Sequence, residues 1–185
     1  MKKLILTACF ALAFSLCANA QVRWQTIEEV GQTDVSKNER MFLVDFSTSW
    51  CGWCKKMDKE TFGNDMVMAI LNHYYYSVHF DAETPKTFTW NGKEYANPNP
   101  KAKKGSPHNF TRAILGAQIG YPSIAVFNQK MNLVQVLQGY QNADEMVKFL
   151  CFFVNDNYMK YSYQKYMAIF DTQILPGILE ELKLN

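Results

Sequence analysis

Met41-Phe42-Leu43-Val44-Asp45-Phe46, and a few residues later Trp50-Cys51-Gly52-Trp53-Cys54-Lys55, form the stretch from which the rest of the chain is read. The first run is apolar on both alternating faces except at Asp45, the pattern of a strand covered by helices on both sides in the middle of an α/β sheet. The second run is expected to turn once and enter a helix, with Cys51 as its first residue. There the Cys51 sulfur meets unpaired backbone N–H groups at the positive end of the helix dipole. That field favours the thiolate, the form that attacks disulfides. Cys54, one turn further on, is close enough to close a small disulfide ring and release the product. A lone C-x-x-C says little, but one set between a buried strand and a helix start points to thiol–disulfide chemistry.

The chain of 185 residues, 48% of them hydrophobic, suits one globular domain with a real core. Its first twenty residues read as a leader: Lys2-Lys3 as basic region, Leu4 to Cys17 as apolar region, Ala18-Asn19-Ala20 as cleavage signal. The apolar run is short for a membrane span, so export and cleavage before Gln21 are expected, with no span afterwards. A lipoprotein would need a small residue before Cys17, where Leu16 stands. Beyond the leader 17 basic and 17 acidic residues remain, a balance that suggests neither nucleic acid nor an anionic membrane as partner. Three cysteines remain, Cys51, Cys54 and Cys151: one redox pair and one leftover, expected to be an inert buried thiol.

Asp45 stands out because a carboxylate in a two-sided strand is poorly solvated and its pKa should rise. It is either a functional buried acid or a strand-edge aspartate bonded to backbone or solvent. Thr26-x-x-Glu29 has capping-box spacing for a short helix, and Trp24 and Ile27 can anchor it. After the active-site helix, Cys54 to Phe62, a second helix is expected over Met66 to Leu71, then a strand over Tyr74 to Asp81 by its alternation. Thr87 to Tyr95 with Asn91-Gly92 at its centre predicts a hairpin with a type I′ turn. Asn97 to Lys104, with Lys101, Lys103 and Lys104, is expected to be an extended, mobile loop. Ser106-Pro107 predicts the cap and first position of a helix ending at Gly116. A hairpin of Ser123–Phe127 and Leu133–Leu137 follows, then a helix capped at Asn142 with Met146, Val147, Leu150, Phe153 and Val154 inward. The Tyr- and Met-rich tail from Asp156 reads as one or two more helices, packed as an extra layer or offering an exposed aromatic patch.

Phe42 to Lys56 resembles the active-site segment of the thioredoxin superfamily. Gly120-Tyr121-Pro122-Ser123-Ile124-Ala125-Val126-Phe127 resembles its cis-proline loop and following strand, and Gly139 before a closing helix is a third mark in order. The resemblance implies a central mixed sheet flanked by helices, with a hairpin and loop insertion at about 83–111 inside a domain over 21–154, and a helical extension over 155–185. It implies Cys51 as nucleophile, Cys54 as resolving thiol and Asp45 as the buried acid that exchanges the Cys54 proton. It places Trp50, Gly52, Trp53, Tyr121 and cis Pro122 against the substrate, and His79 where thioredoxins carry a lysine near that acid, as relay or as a packed side chain. The helix order resembles exported relatives of the reductant-receiving domains of membrane electron transporters. The expected activity is exchange of electrons with protein disulfides, as a reductase or isomerase rather than an oxidase, without bound cofactor or metal. Recycling in an exported compartment calls for a membrane thiol-reductant transporter as donor.

Two other classes compete. Cysteine pairs bind zinc, but one C-x-x-C lacks the second pair of ligands, and Lys55 stands where c-type haem attachment needs histidine. A non-catalytic binding module would use the same fold as scaffold, with the insertion and the tyrosine-rich tail holding a partner.

Overall fold

The computed structural model describes residues 21–102 and 104–183. The expected leader, Lys103 and the last two residues lie outside the described residues. Among the described residues no helix is long and apolar enough to cross a membrane.

Strand β2, Met41–Ser47, is buried along its whole length and is the centre of the molecule. It pairs in parallel with β3, Tyr75–Asp81, and antiparallel with β6, Ser123–Phe127. A two-residue strand β1, Trp24–Gln25, extends the sheet beyond β3, and β7, Leu133–Gln138, beyond β6, giving the order β1-β3-β2-β6-β7. Between these run α1 (Ile27–Gly31), α2 (Gly52–Glu60), α3 (Asp65–Tyr74), a hairpin of β4 (Phe88–Trp90) and β5 (Lys93–Tyr95), α4 (Asn109–Leu115) and α5 (Ala143–Phe153). The α/β class and mixed sheet are those expected from the sequence.

Alternation along β2 divides the core in two. Met41 and Leu43 face α2, α3 and α5, joining Met57, Leu71, Met146 and Leu150. Phe42, Val44 and Phe46 face the other way, against Ile27, Val30 and Phe110. On that second face the hairpin takes part in the core: Phe88 and Trp90 are buried, and Trp90 packs 5.0 Å from Phe127 and 5.4 Å from Phe110 between ring centroids. The Asn-Gly signal was sound, with Asn91 and Gly92 at φ 48° and 74°, as a type I′ turn requires. Gly31 lets α1 approach this hairpin, because a Cβ there would run into the carbonyl oxygen of Thr89.

Both expected capping boxes form, Thr26 with Glu29 and Asn142 with Glu145. Five local expectations are extended or corrected. The residues around Trp24 form a strand as well as an anchor. Helix α3 is longer than the expected Met66 to Leu71 because Asn64 Oδ1 accepts from the N–H groups of Met66 and Val67, and the helix runs on to Tyr74. Helix α4 is capped by His108, whose Nδ1 accepts from Phe110 N–H, and not by Ser106. The Ser106 hydroxyl donates instead to Asn97 Oδ1, while Asn97 Nδ2 donates to the carbonyls of Glu83, Thr84 and Ser106. That buried knot ties both ends of the loop expected to be extended and mobile. The tail, expected as one or two helices, carries three: α6 (Asn157–Lys160), α7 (Tyr163–Ile169) and α8 (Leu175–Leu182). Left-handed Asn155 and Asp156, φ 51° and 57°, break it after α5. Tyr166, Phe170 and Ile178 carry the tail into the first core cluster, and Tyr166 OH donates to the Lys148 carbonyl.

Candidate active site

Cys51 and Cys54 are joined in a disulfide, with Cα atoms 5.3 Å apart. Cys51 is not the first residue of α2, as expected, but its N-cap: its backbone is extended (φ −78°, ψ 104°) and Gly52 begins the helix. The difference sharpens the electrostatics. The Cys51 sulfur occupies the place of a capping oxygen and accepts from Cys54 N–H at 3.1 Å. A thiolate at that atom would meet a backbone donor directly as well as the helix dipole. Both cysteines are nearly covered, whereas their neighbours Trp50 and Trp53 are 49% and 58% exposed. The bulky aromatic surface thus surrounds the sulfurs without sealing them.

Pro122 follows a cis peptide bond from Tyr121. Because β6 runs antiparallel to β2, with Ser123 beside Phe46, the Tyr121–Pro122 loop lies at the sheet end from which Cys51 emerges. The Trp50 and Tyr121 rings meet edge to face, 5.9 Å between centroids, and join the two loops. Burial pushes the Tyr121 phenol up to about 12. The insertion reaches this rim. Glu83 accepts from Trp50 Nε1 at 3.0 Å with one oxygen and from Gly105 N–H at 2.6 Å with the other. Lys104 Nζ stands 5.7 Å over the Trp50 ring. On the opposite side Lys56 Nζ lies over both Trp53 and Tyr140, at 5.1 and 4.9 Å, so its charge serves the aromatic rim.

Asp45 is 1% exposed and points to the α2 side of the sheet, opposite His79 in the β2–β3 register. His79 Nδ1 approaches Asp45 Oδ2 at 3.1 Å, yet off line, so that neither carboxyl oxygen accepts a well-directed hydrogen bond among the described residues. The same nitrogen is 3.8 Å from Asp58 Oδ1, and Nε2 is 3.0 Å from Ser47 Oγ. Burial raises the Asp45 pKa, against the close His79 nitrogen and its charge, which lower it. Asp58 is raised chiefly by burial, with His79 again opposing. The close Asp45 carboxyl raises His79, against partial burial that lowers it. Asp58 was not singled out in the sequence. The available signal is its spacing of four from Cys54, which puts both on one face of α2. Cys151, the leftover cysteine, is buried, and burial pushes its thiol up to about 12.

His79 and Asp58 line an open cleft of about 660 Å³ together with Trp24, Lys59, Phe62 and Met68. The arrangement gives a nearly covered cysteine pair at a helix start, an aromatic rim on two sides, and a buried acid connected through an imidazole to solvent. Such a set can exchange a disulfide and move the accompanying proton.

Comparison with known proteins agrees with this geometry. No curated protein matches the chain in sequence. Among solved structures, a thioredoxin-fold protein from Helicobacter pylori superposes with a TM-score of 0.53 at 14% identity, over 86% of this chain and 92% of that one. A thioredoxin from Thermus thermophilus superposes with a TM-score of 0.51 at 18% identity, over 70% and 85%. The family model of the thioredoxin-like domain matches residues 30–153. From the buried strand through the cysteine pair to the closing helix, the chain belongs to the thioredoxin-like family.

Proposed function

We infer that this protein is an exported thiol–disulfide oxidoreductase that reduces or isomerises disulfides in other proteins. The observation that carries the reading is the Cys51 sulfur in the capping place of α2, accepting from Cys54 N–H and joined to Cys54 in a disulfide. In the reduced protein the Cys51 thiolate attacks one sulfur of a substrate disulfide, forming a mixed disulfide and expelling the other sulfur as a thiolate that takes up a proton. Cys54 then loses its proton and attacks the Cys51 sulfur. The Cys51–Cys54 bond forms, the second substrate sulfur leaves and is protonated, and the substrate has gained two electrons and two protons.

Asp45 receives the Cys54 proton in this reading, and His79, beside it and half exposed, passes it to the cleft. Trp50, Gly52, Trp53 and Tyr121–Pro122 hold an extended substrate segment across the sulfurs. Net reduction needs a thiol donor outside the cytoplasm, for which a membrane reductant transporter is the fitting class; isomerisation returns the electrons within one substrate. The domain proper covers 21–154, with the insertion as rim and 155–185 as a packed extension. The test is turnover of a model protein disulfide by the reduced chain. Turnover abolished by Cys51→Ser supports the reading; no turnover by the intact dithiol refutes it.

A further inference from the structure

Where β2, α2 and β3 meet, three side chains able to bind metal converge: Asp45 of β2, Asp58 of α2 and His79 of β3, with ligand atoms within 4.8 Å of one another. Proximity alone would mean little. Asp45, however, is 1% exposed and aimed into the cluster with neither oxygen satisfied by a well-directed bond, a condition that buried polar groups in native proteins seldom keep. His79 has its Nε2 3.0 Å from Ser47 Oγ. That is the outer contact by which metal-bound imidazoles fix their ring and tautomer. Its Nδ1 lies 3.1 and 3.8 Å from oxygens of the two carboxylates. Ligands around a tetrahedral zinc ion at ~2.0–2.1 Å stand roughly 3.3 Å apart. Closure therefore asks only a small shift of Asp58, whose side chain is 43% exposed.

We propose that Asp45, Asp58 and His79 Nδ1 form a binding site for a divalent cation of the zinc class, open to water from the adjoining cleft. Two carboxylates neutralise the ion, and the imidazole nitrogen favours zinc over magnesium or calcium, which prefer oxygen ligands throughout. Binding displaces the proton from Nδ1 to solvent and leaves Nε2–H donating to Ser47. Lys59, on the wall of the same cleft, opposes the incoming charge. Resting on the proton role given to Asp45 above, the bound ion competes with the Cys54 proton for the Asp45 carboxylate. The site is then a brake on resolution of the mixed disulfide.

The site is tested by calorimetric titration of ZnCl2 into the full chain with Cys51–Cys54 oxidised, so that neither sulfur can bind the ion. The expected result is one equivalent bound with Kd tighter than about 1 mM, weakened at least about tenfold by Asp58→Asn and, independently, by His79→Gln. Absence of binding at that level, or binding that both variants leave unchanged, overturns the site. The brake is tested by single-turnover resolution with and without ZnCl2: slowing in the unsubstituted chain but not in Asp58→Asn supports it, and equal rates overturn it. Loss of disulfide turnover altogether, with zinc binding intact, would refute the oxidoreductase reading while leaving the cation site standing.

Discussion

Replacing Asp45 by asparagine separates the fold's interest from the chemistry's. The amide keeps the shape of a side chain that is 1% exposed, but holds no charge and accepts no proton. Burial raises the Asp45 carboxyl above its ordinary value of 3.8. The folded chain therefore binds that proton more tightly than the unfolded chain, and stability falls as pH rises through the window above 3.8. His79 offsets part of this while protonated. Its own pKa is raised above 6.5, so its contribution is present at low pH and fades as pH rises through that raised value. The advantage of asparagine should thus be smallest at acid pH, where the carboxyl is protonated, and should grow as pH rises through the raised values of Asp45 and His79. Each pKa unit by which burial disfavours a carboxylate is about 1.4 kcal/mol, so a neutral side chain of the same shape should stabilise the chain by about 1–2 kcal/mol once His79 is uncharged, a rise in Tm of about 2–8 °C at this chain length. Resolution, by contrast, should slow roughly a hundredfold, the usual worth of a placed general base, while attack by Cys51 changes little. Thermal melts at several pH values and single-turnover decay of a preformed mixed disulfide measure both effects. Resolution at the unsubstituted rate, or a lower Tm at pH 8, would refute the reasoning.

Other outcomes follow from the same geometry. Cys54→Ser should accumulate stable mixed disulfides through Cys51, and Cys51→Ser should not; equal trapping, seen on non-reducing gels, would reverse the assigned roles. In the reduced protein, the pH dependence of alkylation should put the Cys51 pKa below the ~8.5 of a free thiol. Cys151, whose thiol burial pushes up to about 12, should resist alkylation in the folded chain, and Cys151→Ser should leave turnover unchanged. Gly31→Ala should cost about 1–3 kcal/mol in denaturant melts, because the new methyl meets the Thr89 carbonyl and pushes α1 off the β4–β5 hairpin.

What could be read in the sequence was what local chemistry determines. The unbroken apolar run of β2, the cysteine spacing, the Asn91-Gly92 turn and the two capping boxes each declare themselves within a few residues. Two-residue β1 is too short to show a period, and its strand character comes from pairing with Ser77 and Val78. Ser106 looked like a helix cap, but the buried side chain of Asn97, distant in sequence, draws its hydroxyl away and leaves the cap to His108. The site divides in the same way. Cys51, Cys54 and Pro122 sit in motifs, whereas the meeting of Asp45 with His79 depends on strand register, and that of His79 with Asp58 on how α2 lies across the sheet. Asp58, exposed and flanked by lysines, resembles any solvated helix residue until the sheet is placed beneath it.

Glu83 has a further consequence. One of its oxygens holds the Trp50 indole and the other the backbone of Gly105, so a single carboxylate links the mouth of the dithiol to a loop outside the sheet. The hairpin beneath that loop is fixed by its own aromatic packing, and the cysteines by α2. Changes within residues 98–102 therefore need not disturb the strands and the helix that hold the cysteines and Asp45. Glu83 thus couples the indole beside Cys51 to a loop whose anchors, Asn97 and Gly105, lie apart from the sheet.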